Sequence, residues 1–100
     1  MSLPINPPGL PGEEMVRAGI DDLINNRETD FALLVLIAAP RLRALGIEIP
    51  DRHWRRPYEH ALYERVEQRL GTGAHSFYNS LVRRIVSYAH ALEREQGVEP

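Results

Sequence analysis

The sequence predicts an all-α fold. It reads as a compact four-helix domain, with helices over about residues 13–25, 30–45, 57–70 and 74–96, behind an extended Pro-rich N-terminal arm. Three observations carry this expectation. Apolar residues recur at helical spacing in three separate segments. A fourth segment, "FALLVLIAAP" at residues 31–40, is apolar on every side, and no second strand candidate exists for it to pair with. Proline and glycine fall where helices should begin and end.

One hundred residues make one domain, assigned here to residues 12–97, and a chain of that length can bury one core without metal or disulfide support. With 43% hydrophobic and 26% charged residues, the composition is that of an ordinary globular protein. Cysteine is absent, which excludes disulfide frameworks, cysteine-based zinc sites and thiol chemistry. All 12 basic residues are arginine, which we read as codon usage rather than chemistry. A formal net charge of −2 counts against a dedicated duplex-DNA binder, which is usually basic over the whole domain.

Residues 1–11 contain Pro4, Pro7, Pro8 and Pro11. Proline fixes its own φ and restrains the residue before it, so this arm should be extended. It either lies on its own domain or reaches a partner. The segment has neither a basic start nor an apolar stretch of signal-peptide type, and nine apolar residues are far short of a membrane span, so a cytoplasmic location is expected.

The first helix should open after Pro11 and Gly12, with Glu13 and Glu14 at the positive end of its dipole. Val16, Ile20, Leu23 and Ile24 repeat at helical spacing, and the asparagines of "NNRE" suit a left-handed C-terminal cap. Thr29 or Asp30 caps the second helix, which carries the nine-residue apolar run and is kinked or ended by Pro40. A helix with no polar side belongs in the middle of something. It is either the centre of a monomer core or part of a subunit boundary.

"IEIPDRHWRRP", residues 47–57, reads as a connector, with Pro57 placed at the first turn of the third helix. Tyr58, Leu62, Val66 and Leu70 line that helix, and "GTG" at 71–73 ends it. The fourth helix has the clearest pattern. Ala74, Tyr78, Leu81, Ile85, Tyr88 and Leu92 form an unbroken heptad seam, widened by Phe77, Val82, Val86 and Ala89. A seam this broad, together with the apolar run, points to two-fold pairing. Phe31, Leu34, Val35, Tyr78, Leu81, Ile85 and Tyr88 are the candidate self-association residues of a homodimer.

Four histidines occur, and no two are three or four apart, so no helix presents a ready imidazole pair to a metal. His60 and Glu64 stand at i, i+4 and read as a solvated helix face. No phosphate-binding glycine loop is present. No cofactor is expected.

The most unusual feature is "RHWRRP". Arg52, Arg55 and Arg56 with Trp54 sit just before a helix N-terminus, where cations are mildly unfavourable. Three readings compete. The arginines reach carboxylates of the fold, such as Asp51 or Glu48. They bind an acidic protein with Trp54 as anchor, since tryptophan and arginine are common hot-spot residues. Or they grip nucleic-acid phosphates while Trp54 stacks on a base.

Arg84 and His90, spaced Arg-x5-His, resemble the Arg-x(4–6)-His motif of HEPN ribonucleases, which are also all-helical. That likeness implies RNA cleavage by these two residues. Ile85 stands where such enzymes carry a polar residue.

The sequence therefore leads to a non-enzymatic interaction or regulatory module acting as a homodimer, with an acidic protein partner at Arg52, Trp54, Arg55 and Arg56. The alternative is a small nucleic-acid-binding regulator using the same patch with the fourth helix. A HEPN-like ribonuclease is third.

Overall fold

The structure, a computed structural model, describes residues 10–54 and 56–97. Helix α1 (Glu13–Ile24) begins after Gly12, whose φ of 77° is left-handed. It ends in a Schellman turn. The Asn26 N–H donates to the Leu23 carbonyl and the Arg27 N–H to the Asp22 carbonyl, with Asn26 at φ 57°. The asparagine expected to close this helix does so.

Helix α2 (Asp30–Ala44) is capped by Thr29, whose Oγ1 accepts from the Ala32 N–H at 3.1 Å. Pro40 neither ends the helix nor is buried. The helix runs through it, and the proline ring lies on its exposed side. A second Schellman turn closes α2 at Gly46, with φ 96°, where the Ile47 N–H donates to the Leu42 carbonyl at 3.0 Å.

Helix α3 (Tyr58–Leu70) starts after Pro57, which is its N-cap. The sequence leads one to expect a break at "GTG", but Gly71–Gly73 form a 3-10 turn leading directly into α4 (Ala74–Glu95). Helical residues thus fall in three uninterrupted stretches, 13–24, 30–44 and 58–95, not four. The chain still reverses there, because Gly71 takes φ 59°. The Tyr63 and Tyr78 rings then meet edge-on, 5.3 Å apart, between α3 and α4. Among the described residues there is no strand.

Helix α2 is the hub, touching α1, α3 and α4. Residues 32–36 and Ala39 are buried within the one chain, while Phe31, Ile37 and Ala38 are half-buried. The α4 seam faces α2 and α3 and is buried except at Tyr78, which is half-buried. Phe77 and Val86, expected to widen it, are instead exposed at 38% and 46%. Ile47 and Ile49 add to the core from the connector, their side chains inward and Glu48 outward. No helix among the described residues is long and apolar enough to cross a membrane.

Most of the residues expected to serve self-association are buried within the single chain. Leu34, Val35 and Tyr88 are wholly inaccessible in a single chain, and Leu81 and Ile85 nearly so. Three amphipathic helices enclose the apolar run without a second copy. Of the seven residues, Phe31 and Tyr78 alone keep partial exposure.

Candidate functional site

The connector between α2 and α3 is held by side chains from both ends. Arg43, on the last turn of α2, donates Nε and Nη2 to the Ile49 carbonyl at 3.2 and 2.8 Å, and Nη2 to Asp51 at 3.2 Å. Arg52 donates Nη1 to the Asp51 carbonyl at 2.6 Å and Nη2 to the Ile24 carbonyl at 3.4 Å. The Ile24 carbonyl is at the C-terminus of α1, where the helix dipole favours a cation. The charge that looked misplaced before α3 therefore serves the end of a different helix. Arg52 Nε is buried and has no hydrogen-bond partner among the described residues.

Tyr58, the first residue of α3, joins this arrangement to the groove beside it. Its hydroxyl donates to the Arg52 carbonyl at 2.9 Å and accepts from Arg56 Nε at 3.2 Å. The Arg56 guanidinium carbon stands 5.3 Å from the Tyr58 ring centroid, within cation–π range. Sequence reasoning placed Tyr58 on the core face alone. The available signal was a phenol at a helix start directly after two arginines and a proline.

The four patch residues do not form one surface. Trp54 is half-buried and lines a hollow of about 390 Å³ with Glu28, Ala61, Glu64, Arg65 and Gln68. Arg56 lines a separate open groove of about 560 Å³. The floor of that groove is Leu36, Ile37, Ala39 and Pro40 of α2, and its walls carry Arg43, Asp51, Tyr58 and Glu59. Arg55 lies outside the described residues. The expectation that these arginines reach carboxylates fails for Arg52 and Arg56: Arg52 takes backbone carbonyls, Arg56 takes a phenol, and Asp51 pairs with Arg43 instead.

A second polar centre joins α2 to α3. Asp30 accepts from Arg65 Nε at 3.0 Å and from Arg69 Nη2 at 2.6 Å. Burial pushes this carboxyl up, but the hydrogen bonds and charges of Arg69 and Arg65 outweigh burial and hold it below its ordinary value. Asp22 is also held low, chiefly by the Thr29 hydroxyl, which donates to Oδ2 at 2.7 Å, with help from Arg27. Both sites tie elements together.

His60 and Glu64 pair at 3.1 Å on an exposed face of α3. Among the described residues no three histidine, aspartate or glutamate side chains group to hold a metal ion. Arg84 and His90 are both exposed on α4. Six residues of helix turn them about 120° apart, so the helix does not present them to one substrate atom.

Compared with protein-family models, curated proteins and solved structures, the chain matches none.

Proposed function

We propose that the chain is a non-enzymatic protein-interaction module whose binding site is the groove between α2, the connector and the start of α3. One observation carries this reading: Arg56 stands on the Tyr58 ring over an apolar floor, with no carboxylate partner among the described residues. Arg43 in the same groove is already matched by Asp51, which leaves Arg56 as the cation on offer. The occupant is a peptide segment with an aliphatic side chain for the floor and a carboxylate for Arg56. Arginine beside an aromatic ring over a small apolar surface is the usual composition of an interface hot spot.

Self-association is not part of this proposal. The residues that recommended it are used by the chain's own core.

The test is to pan a displayed random-peptide library against the folded chain and against the Arg56→Glu variant. The wild type should enrich peptides that place Asp or Glu next to Leu, Ile or Val, and the variant should lose that acidic preference. No enrichment, or enrichment that Arg56→Glu leaves unchanged, sinks the reading.

A further inference from the structure

Every described arginine before residue 70 is engaged, with a carboxylate, a backbone carbonyl or a phenol. The three that follow, Arg83, Arg84 and Arg94, are all on α4, all exposed, and without any partner among the described residues. Arg83 and Arg84 stand in a part of the chain with no Asp or Glu between Glu67 and Glu93, while Arg94 lies between Glu93 and Glu95. Glu93 itself is tied to Arg41 at 2.8 Å, and Glu95 is exposed at the helix end. The negative charge that sets the net balance lies mostly on the first 67 residues. The outer face of α4 is therefore locally cationic in a formally acidic protein.

That face is a regular stripe. Ser76, Asn79, Arg83, Ser87, His90 and Arg94 follow one another at steps of three or four, opposite the buried seam. The stripe is about 27 Å long at 1.5 Å per residue. Small hydroxyl and amide groups alternate with arginines, the side-chain set that contacts phosphates and base edges. The stripe's one aromatic ring is the His90 imidazole, with exposed Phe77 off its first turn, too few for the row of stacked bases that single-stranded nucleic acid needs. Exposed Val86 beside it is too small to anchor a protein interface.

We propose that the outer stripe of α4 docks on duplex DNA. Arg83 and Arg94 meet backbone phosphates about 16 Å apart along the helix, and Arg84 meets a third from the stripe's edge. An α-helix fits the width of the major groove, which places Asn79 and Ser87 near base edges. This surface is distinct from the Arg56 groove.

The test is fluorescence anisotropy with a labelled duplex, titrated at about 50 mM and about 200 mM salt. Three phosphate contacts predict an affinity that falls about 40-fold between the two. Arg83→Gln alone should reduce the log–log salt slope by about 0.9, and the triple variant with Arg84→Gln and Arg94→Gln should abolish binding. These side chains have no partner among the described residues, so the variants should keep the wild-type circular dichroism and melting curve. Arg56→Glu should leave DNA affinity unchanged, which separates this proposal from the groove. No saturable binding at the lower salt overturns the proposal. So does a triple variant that binds like wild type, or tighter binding to single-stranded RNA or to polyglutamate than to duplex.

Discussion

A Cβ placed on Gly19 of α1 would lie 2.5 Å from the Phe31 carbonyl oxygen and 2.6 Å from a Val35 methyl of α2. The first contact is with backbone, which cannot swing aside. Gly19→Ala should therefore force the two helices apart and destabilise the fold by about 2–3 kcal/mol, although alanine is the better helix former. Gly73→Ala is the control. Its φ is −84°, and its nearest neighbour, Leu70 Cβ, is 3.9 Å away. That change should be neutral or stabilise by up to about 1 kcal/mol. Urea melts of both variants measure the difference.

Thr29 serves two partners at once, the Ala32 N–H and the Asp22 carboxylate. Thr29→Val keeps the shape and removes both hydrogen bonds. A loss of about 1–2 kcal/mol is expected from the cap. The Thr29 hydroxyl is the leading cause of the low Asp22 value, so the Asp22 carboxyl should move back up in the variant, read by carbon-detected NMR titration.

The Asp30 bridge sets an acid limit on stability. Its carboxyl is depressed in the folded chain, so its contribution is complete above the unfolded value of about 4 and is lost as pH falls through the folded value. Stability should be flat in this respect near neutrality and fall below about pH 4. Asp30→Asn should lose about 1 kcal/mol at pH 7, since both arginines are partly solvated, and should flatten the acid limb. Chemical denaturation at several pH values tests both statements.

Arg52 and Arg56 are four residues apart and should behave differently. Arg52 supports the carbonyl end of α1 and is half-buried, so Arg52→Ala should destabilise by about 1 kcal/mol. Arg56 is exposed, and Arg56→Ala should change stability by about 0.5 kcal/mol or less. Equal losses in thermal melts would make the two arginines one structural unit and remove Arg56 from the groove argument.

The enclosed seam bears on native mass. Leu34, Val35, Leu81, Ile85 and Tyr88 are covered by their own chain. Light scattering across a ten-fold range at micromolar concentration should therefore give the mass of one chain. A constant dimer mass would require an interface built from other residues, such as exposed Ile24 and Phe77.

Much of the helix layout was readable along the chain because its causes are local. Thr29 as cap, the left-handed Asn26, and the spacing of Leu81, Ile85, Tyr88 and Leu92 act within one or two turns. The site was less readable. "RHWRRP" drew attention by composition, but composition does not say where a long side chain ends. Arg52 reaches Ile24, a residue 28 positions earlier, and Trp54 and Arg56 turn into different hollows. Ile47 and Ile49 give no core signal along the chain, because an alternating pair is too short to stand out from a loop.

By itself the sequence determined that the chain is helical, where local caps such as Thr29 and Asn26 act, and that residues 31–39 must be shielded from water. Propensity, capping and hydrophobic period are properties of neighbouring residues. Only the tertiary structure decided what does the shielding and which charges remain free. Three helices close over α2 because Gly19 lets α1 approach and Gly71 folds α4 back along α3. The same folding carries Asp30 to Arg65 and Arg69, and Glu93 to Arg41, and leaves Arg83, Arg84 and Arg94 facing water. Charge pairing across 35 to 52 residues depends on how the helices pack, and no local pattern encodes it.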